Sequence, residues 1–179
     1  MKKILALAGS NSPNSINEKL MTAALEALHS SQIKRITSTT LDVPLYSPQE
    51  EEKGLPKPIK LLFKEFALAD GFIVASPEHN GLPTAFLKNL IDWISRIDQK
   101  FFGDKPVLLL STSPGYNGGA SNLKVLEKLL PIWGGNLTDS YSLGSFNHNF
   151  DPVNHKITNE EVAATFDGVI QNFLQTLHS

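Results

Sequence analysis

The chain of 179 residues contains no cysteine and no long apolar run. The absence of cysteine excludes disulfide bonds, thiolate metal ligands and cysteine nucleophiles. The N-terminal residues lead into a single short apolar run, Ile4–Ala8, which is too short for a signal-peptide core or a membrane span. We therefore expect a cytoplasmic protein without a membrane partner.

The chain also lacks an excess of charge of either sign. Lysine and arginine number 16 against 18 acidic residues, which gives a formal net charge of −2. Without a basic cluster there is no surface suited to a polyanion, so we expect no nucleic-acid partner. Apolar residues make up 41% of the sequence, as in folded globular proteins, and a chain of this length fits one domain over residues 1–179.

Five short apolar runs alternate with longer segments of helical periodicity. The runs are Ile4–Ala8, Ile33–Thr37, Gly71–Ala75, Val107–Ser111 and a weaker one at Asn136–Leu143. Apolar runs of this length predict strands that are buried on both faces of a parallel sheet. Their alternation with helices predicts a three-layer α/β fold, a doubly wound five-stranded parallel sheet with strand order 2-1-3-4-5.

Capping signals and apolar spacing predict the helices. The S/T-x-x-E pattern occurs at Ser15–Glu18 and at Thr158–Glu161, and each predicts a helix start. Further helices are expected at about 59–69, 85–97 and 121–130. The segment Leu41–Pro58 holds four prolines and an acidic run, and it predicts a solvated loop, the alternative being a rim that contacts substrate or a second subunit.

Three loops of unusual composition follow the first, third and fourth predicted strands. Open α/β sheets bind ligands beyond such strand ends, where the strand order reverses. The first loop, Gly9–Asn17, contains three serines and three asparagines and ends at a helix start, where free N–H groups and the helix dipole favour an anion. The alternative is a polar turn with Ser15 as an ordinary cap. The loop lacks the patterns of a P-loop, a dinucleotide fold or a nucleophile elbow.

The other two loops suit a planar ligand. Prolines and a glycine in Ser76–Thr84 fix backbone groups that can hydrogen-bond to the edge of a heterocycle, although Glu78 and His79 also permit acid–base catalysis or a capped turn. The loop Ser111–Ala120 has three glycines for close approach and Tyr116 for stacking, or is a flexible surface loop. Together the three loops predict one crevice for a phosphorylated planar cofactor. The histidines show no metal-ligand spacing, so we expect no metal.

These residues resemble the NADPH-dependent FMN reductase family, whose members include azo, quinone and chromate reductases. The first loop resembles the family pattern G-S-x-R-x-x-S-x-N, and a later segment resembles its L-K-N-A-x-D-W helix. The similarity covers about residues 3–145. It rests on Gly9–Asn17, Val43–Tyr46, Pro77–Gly81, Leu87–Trp93 and Ser113–Gly119.

The resemblance implies a flavodoxin-like fold that binds FMN non-covalently and accepts hydride from NADPH or NADH. Electrons would then pass to a small-molecule acceptor, such as a quinone, an azo compound, a metal oxyanion or free flavin. It also implies a homodimer or homotetramer in which the helix Asn89–Arg96 packs against another subunit. Because the cofactor carries such a reaction, we expect no catalytic acid or base from the protein.

The resemblance also assigns cofactor-binding residues in three groups. The phosphate would be held by Ser10, Ser12, Ser15, Ile16 and Asn17. The isoalloxazine ring would be lined by Pro77, Glu78, His79, Asn80 and Gly81. Its other side would be closed by Ser113, Pro114, Gly115 and Gly118.

Two other functions remain open at this point. An electron-carrier flavodoxin binds flavin but receives electrons from a protein partner; such carriers are acidic and their first loop resembles T-x-T-G-x-T, and this chain has neither feature. A non-redox nucleotide-binding module is the second alternative, left open because Ser12 replaces the arginine common in the family.

His79 replaces a tyrosine, and because histidine changes its charge near neutral pH, we expect it to influence the pH dependence of flavin reduction.

Replacing Ser12 with arginine should tighten the binding of FMN. A guanidinium adds a charge-assisted hydrogen bond to the phosphate, worth roughly 1.5–3 kcal/mol, or about ten- to a hundredfold in Kd. Quenching of flavin fluorescence measures the Kd, with Ser12→Gln as a neutral control of similar reach. Unchanged or weaker binding by the arginine variant would mean that the phosphate lies elsewhere.

Overall fold

A sheet of five parallel strands lies at the centre of the protein. The structure, a computed structural model, describes residues 1–28, 32–37 and 41–179. In chain order its strands are β1 (Lys3–Ala8), β2 (Gln32–Ile36), β3 (Gly71–Ala75), β4 (Glu78–His79), β5 (Leu82–Pro83), β6 (Lys105–Thr112), β7 (Gly135–Leu143), β8 (Phe150–Asp151) and β9 (Lys156–Ile157). The central sheet has the order β2-β1-β3-β6-β7, and the pairs β4–β5 and β8–β9 form separate antiparallel hairpins.

The predicted five-stranded parallel sheet is confirmed, but the predicted strand numbers differ from those observed. The order 2-1-3-4-5 omitted the hairpin β4–β5, which falls in sequence between the third and fourth strands of the sheet. The last two places are therefore taken by β6 and β7. The hairpin was omitted because its strands are two residues long and carry no apolar run.

The strands differ in burial according to their place in the sheet. The interior strand β3 is buried throughout, and β1 is buried after Lys3, as predicted. The edge strand β2 is exposed over its first four residues, and only Ile36 is buried. The predicted burial of the second apolar run on both faces is therefore wrong. The charges of Lys34 and Arg35 along this edge discourage pairing with a strand of another molecule.

Helices cover both faces of the sheet. They are α1 (Ile16–Glu26), α2 (Pro48–Glu52), α3 (Lys57–Leu68), α4 (Ala85–Ile94), α5 (Ala120–Leu129), α6 (Phe146–Asn149) and α7 (Glu160–His178). Ile4 and Ala6 of β1 pack with α1 and α7, whereas Leu5 and Leu7 pack with α3, α4 and α5. Alternate residues of the strand thus face opposite layers, which confirms the three-layer α/β arrangement. Within the described ranges, no helix is both long and apolar enough to cross a membrane.

Side chains cap the starts of α1 and α7. The Ser15 hydroxyl accepts a hydrogen bond from Glu18 N at 3.3 Å, as the capping pattern predicted. At α7 the cap is Asn159, whose Oδ1 accepts from Val162 N at 3.1 Å. The predicted cap, Thr158, is therefore wrong by one residue. Asparagine is among the most favourable capping residues and stands directly before the first helical position.

The segment predicted as a solvated loop, Leu41–Pro58, contains α2 and lies against α4. Asn89 Oδ1 accepts from Tyr46 N at 2.8 Å, and Asn89 Nδ2 donates to Pro44 O at 3.0 Å. The indole Nε1 of the fully buried Trp93 donates to the same carbonyl at 2.8 Å. The prediction of a simple solvated loop is wrong, because this proline-rich backbone finds its hydrogen-bond partners on α4.

Burial of Tyr141 makes the folded state sensitive to alkaline pH. Its hydroxyl donates to Val162 O at 3.2 Å, and burial, assisted by the charge of Asp167, raises the pKa of Tyr141 from 10.0 to about 12. Between these values the folded protein retains a proton that the unfolded chain releases. The free energy of unfolding therefore falls as the pH rises through this window.

Tyr141→Phe should remove this part of the alkaline loss of stability. Urea unfolding of the wild type and the variant, measured as a function of pH across the window, gives the difference between their free energies of unfolding. As the pH rises through the window, we expect the free energy of unfolding to fall less for the phenylalanine variant than for the wild type. A difference that is independent of pH would contradict the assignment to Tyr141.

Candidate cofactor site

The carboxyl ends of β1, β3 and β6 lie side by side and bring the three predicted loops to one edge of the sheet. Ala8 pairs with Ala75 in the register of β1 and β3, and Ala75 pairs with Leu110 in that of β3 and β6. The pairing continues one residue further, where Gly9 N donates to Ala75 O and Ser76 N donates to Leu110 O, each at 2.8 Å. The first two loops therefore begin at the same level, and the third begins two residues further along, after β6 ends at Thr112.

The first loop folds upon its own hydroxyl groups. Ser10 Oγ accepts from Ser12 N at 3.1 Å, and Ser12 Oγ accepts from Asn14 N at 3.4 Å. The N–H groups of Ile16 and Asn17, the first two of α1, donate to no acceptor in the described part of the chain. The helix start thus presents unpaired donors and the positive end of its dipole to an anion.

Asn17 turns its side chain into the protein. It is 3% exposed, its Nδ2 donates to Thr112 O at 2.9 Å, and its Oδ1 accepts from Thr112 N at 2.9 Å. This pair of hydrogen bonds joins the start of α1 to the end of β6. The Asn17 side chain, predicted to hold the phosphate, instead links two loops. The backbone N–H of Asn17 is the group that remains for an anion.

The second loop is a β-hairpin, which the sequence prediction missed. In the pairing of β4 with β5, His79 lies opposite Leu82. Asn80 and Gly81 between them have φ values of +55° and +78°, the two positive values that a type I′ turn requires. The Asn-Gly dipeptide is the strongest short-range signal for such a hairpin and would have revealed it.

Glu78 directs its carboxylate to the start of α5. Its Oε2 accepts from Asn122 N at 3.0 Å. The N-cap position of this helix is Gly119, which has no side chain to cap the helix. A carboxylate at a helix start is favourable because it meets the positive end of the dipole. Glu78 therefore offers its backbone, rather than its carboxylate, to the surface of the second loop.

Thr84, absent from the predicted site, connects the second loop to the first. Its Oγ1 donates to Gly9 O at 2.6 Å and accepts from Leu87 N at 3.0 Å as the cap of α4. Gly9 allows this approach, since a Cβ there would lie 3.0 Å from the Leu87 side chain and 3.3 Å from Ala75 O. A threonine directly before a helical pattern is the signal that indicates such a cap.

The third loop folds against the chain that follows β7. Gly115 O accepts from Ser145 N at 2.8 Å. Gly118 has a φ of +59°, and a Cβ there would lie 2.6 Å from Gly144 N, so the close backbone approach requires glycine. Tyr116 is 92% exposed, so its ring stands at the surface of this loop.

Burial divides the predicted site residues into three groups. Exposed are Ser12, His79, Asn80, Pro114 and Gly115; half-buried are Ser10, Ile16, Pro77, Glu78, Gly81 and Ser113; buried are Ser15, Asn17 and Gly118. The buried members include the helix cap, the link to Thr112 and the glycine of a close backbone approach. These three shape the loops, and the less buried members form most of the exposed surface of the candidate site.

The sequence profile of the NADPH-dependent FMN reductase family matches residues 2–148, which contain all three loops. The chain belongs to this family. A quinone reductase from Escherichia coli K12 is 31% identical to it over 129 residues, which cover 72% of this chain and 69% of that protein. An NADPH:quinone oxidoreductase from Arabidopsis thaliana is 36% identical over 124 residues, covering 66% of this chain and 62% of that protein.

Solved structures agree with the fold. FerB, a flavoenzyme NAD(P)H:(acceptor) oxidoreductase from Paracoccus denitrificans, has a TM-score of 0.81 at 22% identity, covering 99% of this chain and 98% of that one. The apo form of the NADH:FMN oxidoreductase EMOB has a TM-score of 0.74 at 25% identity, covering 98% and 90% respectively. The three-layer arrangement around the sheet is thus that of the flavodoxin-like reductases.

As a member of the FMN reductase family, the chain is an oxidoreductase that uses FMN and NAD(P)H. The residues at the carboxyl edge fit this cofactor. Unpaired N–H groups at the start of α1 suit its phosphate, and a hairpin of fixed shape suits its planar ring. Helix α7 lies beyond the matched residues, and its buried side chains, such as Phe173, belong to the core.

Asn17→Ala should destabilise the apoprotein. The substitution leaves the backbone N–H and C=O of Thr112 buried without their partners, which costs about 1–3 kcal/mol in the free energy of unfolding. Urea unfolding without flavin measures this loss. Asn14→Ala, at an exposed position of the same loop, is the control and should stay within about 0.5 kcal/mol of the wild type. Equal stability of the Asn17 variant and the wild type would contradict the link between the loops.

Proposed function

We propose that the protein transfers hydride from NADPH or NADH to an FMN bound beyond β1, β3 and β6, and passes the electrons to a quinone. The proposal is carried by the convergence, at one edge of the sheet, of the unpaired donors of α1, the type I′ hairpin and the glycine-rich third loop. FMN supplies the redox chemistry when bound. The protein supplies binding and orientation.

The start of α1 holds the phosphate in this proposal. The N–H groups of Ile16 and Asn17 donate to its oxygens, and the hydroxyl groups of Ser10, Ser12 and Ser15 complete the set of donors. The first loop contains no lysine or arginine. Neutral donors and the helix dipole therefore carry the binding of the phosphate.

The hairpin and the third loop enclose the ring. Backbone groups of Pro77–Gly81 address its polar edge, because the carboxylate of Glu78 is bound to α5 and His79 is exposed. Ser113–Gly115 and Gly118 close the opposite side. Hydride transfer from NADPH or NADH to FMN needs no proton donor from the protein, and the proton that completes reduction of the quinone would come from solvent at the exposed edge of the hairpin, so we assign no catalytic acid or base.

A quinone is the acceptor that we propose, because it is the substrate named for the relatives from Escherichia coli and Arabidopsis thaliana. Azo compounds, metal oxyanions and free flavin are alternative acceptors in the same scheme. The predicted ring-lining residues His79 and Asn80 are exposed, so small oxidants can reach this edge from solvent.

We also propose a homodimer or homotetramer in which α4 faces another subunit. Asn89 and Trp93 of this helix bind the segment before α2 in their own chain. The contact would therefore be made by the outward ion pair Lys88–Asp92 and by Leu45, which is 76% exposed on the covering segment. Sedimentation equilibrium tests this proposal, and a monomer would overturn it.

Steady-state oxidation of NADPH and of NADH by the FMN-loaded protein tests the function. We expect turnover that depends on an added quinone, with parallel double-reciprocal plots, because the two substrates react in turn at one site. Free FMN without protein is the control. Flavin bound without turnover would instead indicate a carrier served by a protein partner, and failure to take up flavin would indicate a non-redox nucleotide-binding module.

A further inference from the structure

Three buried polar side chains form a cluster beneath the hairpin. Ser76, Ser111 and Asn122 are each 0% exposed, and we call them the Ser76 cluster. Asn122 Nδ2 donates to Ser76 O at 2.8 Å and to Ser76 Oγ at 3.0 Å, and Ser111 Oγ donates to Ser76 O at 2.8 Å. The Ser76 hydroxyl donates to Asn122 Oδ1 at 3.2 Å. The cluster thus joins the ends of β3 and β6 to α5.

Asn122 holds the chain on both sides of Pro77. Its side chain binds the carbonyl of the Ser76–Pro77 peptide, and its backbone N–H is bound by the Glu78 carboxylate at 3.0 Å. Pro77 between these points has a fixed φ. One residue of α5 therefore binds the backbone carbonyl immediately before the proline and the side chain of the residue immediately after it.

The main effect of the Ser76 cluster is to fix the position of the Ser76 carbonyl. Its contribution to the free energy of unfolding is small. Buried amides and hydroxyls gain little over apolar groups of the same shape, but a fully paired network permits a single arrangement. Gly119 at the start of α5 is adapted to this arrangement. Its φ is +86°, and a Cβ there would lie 2.0 Å from Ser111 Oγ. The close approach of α5 to β6 allows Asn122 to reach the Ser76 carbonyl.

We propose that Asn122 is a positioning residue for the flavin ring, because its side chain fixes the Ser76 carbonyl and thereby the backbone that enters the hairpin and addresses the ring edge. This rests on the proposed function, in which Pro77–Gly81 line the ring. The phosphate is held by a different loop in that function. Loss of the Asn122 side chain should therefore weaken the binding of the flavin ring. The contribution of the phosphate to the binding free energy of FMN should stay unchanged.

Titration with two flavins measures this role. Riboflavin has the ring of FMN and lacks its phosphate. Asn122→Ala should raise the Kd of both flavins by the same factor, roughly tenfold for the lost hydrogen bonds. The ratio of the two Kd values should stay that of the wild type. Quenching of flavin fluorescence gives both constants without any turnover.

Ser140→Ala is the matched control. It removes a polar contact between the other end of α5 and the sheet, in which Ser140 Oγ donates to Glu127 Oε1. Both Kd values of this variant should stay within about twofold of the wild type. Amide NMR spectra of the apoproteins give a readout without flavin: Asn122→Ala should shift the signals of His79 and Gly81, and the control should leave them in place.

A milder variant covers the case in which Asn122→Ala does not fold. Ser111→Ala removes one of the two donors to Ser76 O and should raise both Kd values about threefold. Wild-type affinity for both flavins, or a loss confined to FMN, would overturn the positioning role while the proposed function stands. Failure of the wild type to bind either flavin would overturn the proposed function and this proposal with it.

Discussion

The register of three neighbouring parallel strands is the constraint on which the candidate site depends. β1, β3 and β6 are neighbours, and their register pairs Ala8 with Ala75 and Ala75 with Leu110, so that β1 and β3 end together while β6 continues two residues to Thr112. Parallel strands are joined by crossovers, so each end leads into a loop and then a helix. A slip of one residue would move a loop by about 3.3 Å and turn the buried side chains to the other face.

Several side chains at this edge bind the protein itself, which leaves backbone groups and the serine hydroxyls of the first loop for the proposed ligand. Asn17 is bound to Thr112, Thr84 to Gly9, and the carboxylate of Glu78 to α5. Because these bonds run from one segment of the site to another, the loops hold one another in place. Donors that are already fixed lose little freedom when a ligand binds. The polar composition that pointed to a ligand thus largely reflects how the loops are joined.

The architecture could be predicted where its signal is local. The runs Ile4–Ala8 and Gly71–Ala75 carry the pattern of buried strands in their own residues, and family motifs identified the flavin. The exposure of β2 was predictable but was missed, because the expected order 2-1-3-4-5 already places the second strand at an edge, and its run includes Lys34 and Arg35. Hydrogen-bond partners more than 40 residues away in sequence were found for Asn89, Trp93 and Glu78. No local sequence pattern predicts such partners.

The turn at Asn80 and Gly81 owes its shape to its own two residues. The hairpin therefore keeps its backbone whichever side chains stand at His79 and Leu82, which face each other across it. In the proposed site, substitution at these two surface positions would change which oxidants approach the ring and would leave the backbone of the hairpin as it is. Under the proposed function, the choice of acceptor could therefore be altered through two side chains that take no part in shaping the turn.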